Sequence, residues 1–135
     1  MRISRKIIIL IAVAATFLSC SNNGPVAYKS ISGSWRCEEF PSVGMSRTYI
    51  VEVDRKLSDT TQYLLSNFYN IDINEFVYVH LKGTNITIAQ QQIGISPVTV
   101  ESGSGVVSLN FTKIEFSYVI HDGLNDIKVN AIYTR

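Results

Sequence analysis

Few residues of this chain combine the types and the spacing that catalysis or metal binding requires. The only two histidines are His80 and His121, and each lies on the less apolar face of a predicted strand. A metal site would need further ligands that converge on them in space. We therefore interpret both as surface residues, and the sequence predicts neither a metal nor a cofactor.

Four carboxylates lie near the ends of predicted strands, where two of them could pair as a general acid and a general base. They are Glu38, Glu39, Asp72 and Glu75. Their spacing singles out no such pair, so no catalytic residue is predicted among them.

The segment Gly103-Ser104-Gly105 has the composition of a nucleophile loop or a phosphate loop. A nucleophile elbow needs Gly-x-Ser-x-Gly at a strand-to-helix turn, and a phosphate loop needs a helix N-terminus behind its glycines. Neither context is predicted here. Glycines that permit a bulge or a sharp bend in a strand are the better interpretation, and we predict that the protein is not an enzyme.

The segment before the first cysteine has the pattern of a signal peptide. Arg2, Arg5 and Lys6 precede an apolar run from Ile7 to Leu18, which matches a basic region followed by a hydrophobic region. The run is shorter than the ~20 apolar residues that span a bilayer. We therefore predict that residues 1–19 are a signal peptide that is removed.

Cys20 follows the small residue Ser19 and precedes a polar stretch, and this arrangement resembles the lipobox of bacterial lipoproteins. In that motif the cysteine is acylated, for example with palmitate, and becomes the first mature residue. Phe17 and Leu18 depart from the motif, which prefers Leu and then Ala or Ser. An incidental cysteine after an ordinary signal peptide is the alternative interpretation.

Acylation of Cys20 would anchor the protein, because several buried acyl chains together give stable membrane attachment. The resemblance implies an outer-membrane location, since Ser21 rather than Asp follows the cysteine. The stretch from Ser21 to Pro25 contains no acid, which favours the periplasmic face over the cell surface. Membrane lipid is therefore the first partner that we expect.

Removing the signal peptide changes the composition of the chain. The whole chain has 135 residues, of which 46% are hydrophobic, and a net charge of +1. The 116 residues after position 19 carry nine Lys and Arg against eleven Asp and Glu, hence a net charge of −2. A nucleic-acid binder would show a basic cluster, so no nucleic-acid partner is expected. The length leaves room for a single domain.

After a polar tether at residues 20–32, the composition of residues 33–135 favours β-structure. Val, Ile and Thr account for 32 of the 116 residues and Ala for only three, a balance typical of strands. The clearest alternation runs from Lys113 to His121 and predicts a half-buried strand. Further strands are predicted at Trp35 to Cys37, Tyr49 to Val53, Val77 to Leu81, Ile86 to Ile88, Val98 to Val100, Val107 to Leu109 and Ile127 to Tyr133.

Cys37 is predicted to be a small buried residue without a disulfide partner. Residues 58–68 fit either a strand or a helix. With residues 58–68 counted as a strand, the chain has at least the eight short strands, joined by turns, that a small barrel needs. This order predicts an all-β fold, an eight-stranded antiparallel meander barrel. A two-sheet sandwich is the alternative.

Several segments along the chain form a distinctive series by their order and spacing. They are Gly33-Ser34-Trp35, Tyr49-Ile50-Val51-Glu52-Val53, Ser66-Asn67-Phe68, Gly83-Thr84-Asn85-Ile86-Thr87-Ile88, Gln90-Gln91-Gln92, Ser102-Gly103-Ser104-Gly105, the strand ending at Tyr118, Asp122-Gly123 and Ala131-Ile132-Tyr133. This series resembles the small lipocalin-like (calycin-like) β-barrel lipoproteins of anaerobic Gram-negative bacteria, and the likeness covers residues 33–135. The resemblance implies a barrel lipoprotein, favours the strand interpretation of residues 58–68, and carries over no catalytic residue.

Aromatic side chains supply the candidate binding residues. An eight-stranded barrel either fills itself with side chains or holds one small ligand. The candidate ligand-binding residues of the interior are Trp35, Tyr49, Phe116, Tyr118 and Tyr133. The candidate partner-binding residues are Phe76, Tyr78 and His80, which form an outward stripe if Val77, Val79 and Leu81 face inward; a register shifted by one would bury them instead.

Two functions therefore remain open. The first is a non-enzymatic binding module that holds a hydrophobic or amphiphilic small molecule at the mouth of the barrel. The second is an interaction or inhibitor lipoprotein that presents an outer barrel face or loops to a protein partner. A ligand-sized interior pocket would favour the first, and an exposed patch at Phe76 and Tyr78 would favour the second.

Overall fold

The computed structural model describes Gly24 and residues 26–135. The predicted signal peptide at residues 1–19 and the predicted acylation site Cys20 lie outside the described residues. Within this described part of the chain, a short 3-10 turn (Phe68–Asn70) accompanies nine strands. The strands are β1 (Gly33–Pro41), β2 (Arg47–Arg55), β3 (Gln62–Ser66), β4 (Phe76–Lys82), β5 (Asn85–Ile88), β6 (Gln91–Gln92), β7 (Thr99–Val107), β8 (Lys113–His121) and β9 (Asp126–Thr134).

The strands close into an antiparallel barrel of eight, as the sequence predicts. Consecutive strands pair along β1-β2-β3-β4-β5 and along β7-β8-β9. β9 pairs with β1, and β5 pairs with β7 to close the barrel. The two-residue β6 adds to β7 alone. The sandwich alternative is therefore wrong. Within the described part of the chain, no helix has the length and apolarity needed to cross a membrane.

The up-and-down order divides the connections between two ends of the barrel. We call the mouth end the one that carries the loops at residues 42–46, 67–75, 93–98 and 122–125. The base end carries the loops at 56–61, 83–84 and 108–112. The chain enters β1 at the base end, so the mouth end lies on the side away from the N-terminal segment.

The base end is fastened by Arg135, the last residue of the chain. Its guanidinium lies 3.9 Å from the ring centroid of Tyr28 and 4.1 Å from that of Trp35, and its Nη1 donates to the carbonyl of Ser32 at 2.6 Å. Trp35 Nε1 donates to the carbonyl of Ile31 at 2.7 Å, and Ile31 is buried. The end of the expected tether is thus packed against the barrel.

The period-two alternation predicted for β2, β4, β8 and β9 is observed in their burial. The segment that fits either a strand or a helix forms β3, whose Tyr63 and Leu65 are buried while Leu57 lies outside it in an exposed loop. The helical interpretation is therefore wrong. Leu57, Leu64 and Phe68 fit helical spacing, but β3 pairs with both neighbours, and tertiary pairing overrides local propensity.

Gly103 and Gly105 lie within β7 rather than at a turn. A Cβ at Gly105 would lie 2.3 Å from the backbone oxygen of Glu115 on β8, and one at Gly103 would lie 2.9 Å from the Cβ of Tyr118. The register shift of β7 lies just before them, between Val100 and Ser102. The glycines therefore permit the close approach of two strands beside a bulge.

Candidate binding surface

The five aromatic residues predicted to line the interior all lie on inward faces of the barrel. Trp35 and Tyr133 are fully buried, Phe116 and Tyr118 retain at most 3% of their surface, and Tyr49 is half-buried. The Phe116 ring packs 6.1 Å from Tyr118 and 5.9 Å from Tyr133 between centroids. The four buried side chains belong to one packed hydrophobic core.

The mouth of the barrel is plugged by the 3-10 turn between β3 and β4. Phe68 is buried, and its ring lies 4.7 Å from that of Tyr118. The neighbouring Tyr69 ring lies 4.0 Å from the guanidinium carbon of Arg47. These contacts close the interior at the mouth end of the barrel. A ligand that enters there would have to displace them.

A buried carboxylate lies beneath this plug. Glu39 has no exposed surface; its Oε1 accepts hydrogen bonds from the hydroxyls of Tyr49 and Tyr118, and its Oε2 accepts one from Arg47 Nε at 2.7 Å. Burial acts to lower the pKa of Arg47, but the hydrogen bond and charge of Glu39 outweigh it and raise that pKa. Buried charges need such partners because an unpaired ion in the interior is strongly unfavourable.

The phenols and the thiol around Glu39 are held in their protonated forms. Burial, followed by the charge of Glu39, raises the pKa of Cys37 to about 12. Burial likewise raises the pKa values of Tyr49, Tyr118 and Tyr133 well above the usual range. A thiol with a raised pKa is a poor nucleophile, so the cluster is suited to holding the core together and not to covalent chemistry.

The ion pair of the buried Glu39 with the partly exposed Arg47 was not predicted, although the signal was present in the sequence. Glu39 continues the inward alternation of Trp35 and Cys37, and Arg47 begins that of Tyr49 and Val51. When two adjacent strands carry charged residues of opposite sign at inward positions, the pattern indicates an ion pair between them. Two buried atoms of this cluster, Arg47 Nη2 and Tyr133 Oη, have no hydrogen-bond partner among the described residues.

The outward stripe on β4 is present in the register that exposes it. Phe76 and Tyr78 are each 37% exposed, and their rings meet edge to face with centroids 5.3 Å apart. His80 continues the stripe, with its Nε2 3.3 Å from Gln62 Nε2 on β3, while Val77 and Val79 are buried. The register shifted by one is therefore wrong, and the aromatic pair faces solvent.

The barrel wall beside this pair is incomplete. β4 pairs with β5 only from His80 to Lys82, and the chain beyond Ile88 leaves β4 and resumes as β6 against β7. The segment Phe76–Tyr78 therefore has β3 on one side and no strand on the other. We call the gap between Phe76–Tyr78 and β6 the seam.

One side chain bridges the seam. Gln91 Oε1 accepts from the backbone N–H of Tyr78 at 2.7 Å, and Gln91 Nε2 donates to the backbone carbonyl of Tyr78 at 2.8 Å. The same Nε2 also donates to the carbonyl of Ala89 at 3.2 Å. A side-chain amide thus supplies the two hydrogen bonds that a neighbouring strand would otherwise make.

A groove lies on the outer side of the seam, at the mouth end. It encloses about 280 Å³. Its lining residues are Glu75, Phe76, Tyr78, Gln91, Gln92 and Gly94. Aromatic rings, amides and one carboxylate around a concave surface suit the recognition of an amphipathic ligand.

Every mouth-end loop also carries an exposed aliphatic side chain. These side chains are 54% to 93% exposed, and they belong to Val43, Met45, Ile73, Ile95 and Leu124. Ile73 precedes Glu75 by two residues and Ile95 directly follows Gly94, so two of the tips adjoin the groove in the chain. Two base-end loops also carry an exposed leucine, Leu57 and Leu109, but only mouth-end tips adjoin the seam groove. Apolar residues beside a groove often mark a contact site.

A second groove lies at the base end of the outer face. It encloses about 490 Å³ and is lined by Thr61, His80, Leu81, Lys82, Asn85 and Thr87. His121, the other histidine, lies apart from it and contacts Asp126 with Nδ1 2.8 Å from Oδ1. The described residues contain no group of three or more side chains suited to a metal ion.

The four carboxylates weighed as an acid and base make separate contacts, and Glu38 pairs with Arg36 at 3.1 Å. Glu39 is buried under Tyr49 and Tyr118, Glu75 lines the seam groove, and Asp72 caps its own loop by accepting from the backbone N–H of Asn74 at 2.8 Å.

No known family model matches the chain, and no curated protein is significantly similar to it.

Proposed function

We propose that the protein is a membrane-anchored, non-enzymatic binding lipoprotein that holds a protein partner at the mouth end of its barrel. The contact surface consists of the Phe76–Tyr78 pair, the seam groove beside it and the apolar loop tips. The observation that carries the proposal is the exposed edge-to-face pair of Phe76 and Tyr78 beside a groove, on a barrel whose interior aromatics are buried.

Aromatic side chains are enriched at protein interfaces because they bury a large area at a low cost in conformational entropy. The mouth-end loops extend this surface with aliphatic tips, and their charged residues are the acids Asp72, Glu75 and Asp122. A partner with apolar side chains and a basic rim would complement such a surface.

The anchoring part of the proposal rests on the resemblance of the Cys20 segment to a lipobox. An outer-membrane lipoprotein of the lipocalin-like group, facing the periplasm, is the arrangement that we propose. The chain enters the barrel at the base end, so an anchor at Cys20 would leave the mouth end directed away from the lipid. Metabolic labelling with palmitate should mark the protein and fail with Cys20→Ser, and proteinase added to intact cells should leave it whole.

Site-specific photocrosslinking in the host membrane tests the binding surface. A benzophenone amino acid at Phe76 should yield one adduct of discrete mass that contains a second protein. The matched control places the same group at Ile50, which is 49% exposed on the outer face of β2. Equal adducts at both positions, or an adduct at Phe76 with lipid alone, would contradict the proposal.

A hydrophobic or amphiphilic small molecule is the second candidate ligand, and the base-end groove favours it. Its volume of about 490 Å³ falls within the range of ~300 to 1,000 Å³ typical of small-molecule sites. Native mass spectrometry of the detergent-extracted protein distinguishes the two candidates. A retained adduct of fixed mass that is lost with Leu81→Glu would favour the small molecule over the protein partner.

A further inference from the structure

We propose that the seam accepts an extended segment of the partner, which pairs as an added β-strand with Phe76–Tyr78 and displaces the amide of Gln91. This inference rests on the proposed function and specifies the chemistry of the partner. Binding by strand addition takes its affinity from main-chain hydrogen bonds and its specificity from alternate side chains.

The backbone hydrogen bonds of β4 define its open edge. Leu81 N donates to the carbonyl of Thr61 at 2.8 Å, and Asn67 N donates to the carbonyl of Glu75 at 3.0 Å. Because antiparallel strands alternate between paired and unpaired positions, odd-numbered residues of β4 face β3 and even-numbered residues face away. The peptide groups of Phe76 and Tyr78 therefore face the seam.

The opposite side of the seam has the same character. Ile93 N donates to the carbonyl of Val98 at 3.0 Å, and Gln91 and Gln92 pair with Val100 and Thr99 of β7. By the same alternation, the peptide group of Gln92 faces the seam. A segment that enters would thus meet backbone groups on both sides.

Gln91 shows which chemistry the seam recognises. Its amide presents one acceptor to the N–H of Tyr78 and one donor to the carbonyl of Tyr78, which is the pair of groups that one residue of a neighbouring strand presents. The amide therefore occupies the place of a peptide unit. A protein backbone can replace it without leaving Tyr78 unpaired, whereas an apolar ligand cannot.

The dimensions and charges limit the segment. From Phe76 to Tyr78 the open edge accommodates about three residues, roughly 10 Å of extended chain. Outward side chains of that segment would enter the groove between the Phe76 ring and Glu75. A carboxylate and an aromatic ring favour a cation there through charge and cation–π attraction, so we expect Lys or Arg at that position.

A library of linear nine-residue peptides displayed on phage provides the probe, panned against the detergent-solubilised full protein. Enriched peptides are then synthesised with and without N-methylation of their central residues. We expect N-methylation to weaken binding at least tenfold. Gln91→Ala should strengthen binding by about threefold to tenfold, because no hydrogen-bonded amide must be displaced first.

Amide hydrogen exchange adds a readout at the edge itself. In Gln91→Ala the Tyr78 amide should exchange faster, and the bound peptide should restore its protection. Gln90→Ala is the matched control, because Gln90 Nε2 bonds Glu101 Oε2 at 2.7 Å and leaves Tyr78 untouched. This control should alter neither the affinity nor the exchange of Tyr78.

Three results would overturn strand addition: no enriched peptide, binding unaffected by N-methylation, or a Tyr78 amide that the peptide does not protect. A further result would separate the two proposals: peptides whose affinity is unchanged by N-methylation but is lost when Phe76 and Tyr78 are both replaced by Ser. That result would overturn strand addition and would still support the proposed binding surface. Photocrosslinking at Phe76 decides that surface independently.

Discussion

The two sides of the barrel differ in how their strands are held together. On one side β8 and β9 pair over nine residues and β1 and β2 over seven, and the buried Glu39 cluster lies inside this wall. On the other side β4 pairs with β5 over three residues and β6 with β7 over two. There a single side chain, Gln91, replaces a strand-to-strand contact.

This difference separates stability from recognition. The long-ladder wall pairs its backbone groups internally and the core aromatics bury their surfaces, so they have little left to offer a partner. The seam side leaves backbone edges and the Phe76–Tyr78 rings near solvent. Regions with few backbone pairings open at lower free energy than core strands, which suits a site that must rearrange to bind.

The largest effect that we expect is unfolding at alkaline pH, and it arises on the side of the barrel with the long strand pairings. Cys37, Tyr49, Tyr118 and Tyr133 all have raised pKa values in the fold. The folded protein therefore keeps protons that the unfolded chain releases, and stability falls as pH rises above about 9, by up to roughly 1.4 kcal/mol per pH unit for each group. Urea midpoints measured from pH 7 to 11 should decline accordingly, and less steeply for Tyr133→Phe. A midpoint that stays constant to pH 11 would contradict this account.

Removing the buried carboxylate is the next largest effect. Glu39→Ala leaves the hydroxyls of Tyr49 and Tyr118 and the Nε of Arg47 without their acceptor, and we expect the free energy of unfolding to fall by about 3 kcal/mol. Urea denaturation measures it. Glu38→Ala, whose side chain is 40% exposed on the same strand, should change it by less than about 0.5 kcal/mol. Equal effects at the two positions would refute a structural role for Glu39.

A smaller effect is expected where β7 approaches β8. Gly105→Ala places a Cβ against the backbone oxygen of Glu115, which cannot move without shifting the ladder, so we expect a loss of about 2 kcal/mol. Thermal unfolding gives the measurement, and the exposed neighbour Ser104→Ala serves as the control. An unchanged midpoint for Gly105→Ala would show that the two strands can separate at no cost.

The smallest effect should come from the seam. Gln91→Ala removes two exposed hydrogen bonds to Tyr78, and we expect it to lower global stability by no more than about 1 kcal/mol. Local exchange of the Tyr78 amide should nevertheless rise, while that of Val129 in the long wall stays unchanged. A global loss as large as that of Glu39→Ala would remove the distinction between the two sides.

Much of the fold could be predicted because its elements are local patterns. The alternation of Ile114, Phe116, Tyr118 and Ile120 indicated β8 and its inward face, and turn residues marked most connections. The candidate surface was predicted in part, since the outward stripe of Phe76 and Tyr78 follows from the same period. The ion pair of the buried Glu39 with the partly exposed Arg47 was missed, because its signal is the inward position of both residues in the alternation and not their chemical type.

The sequence by itself determined an all-β barrel and the residues that face inward on β2, β4, β8 and β9, because these properties depend on composition and on a two-residue period. The signal peptide and the acylation of Cys20 stay predictions. Only the tertiary structure decided that the interior is packed, that Phe76 and Tyr78 are exposed, and that the wall beside them is bridged by Gln91. The lengths of strand pairings and the filling of a core depend on contacts between residues far apart in the chain, which no local pattern specifies.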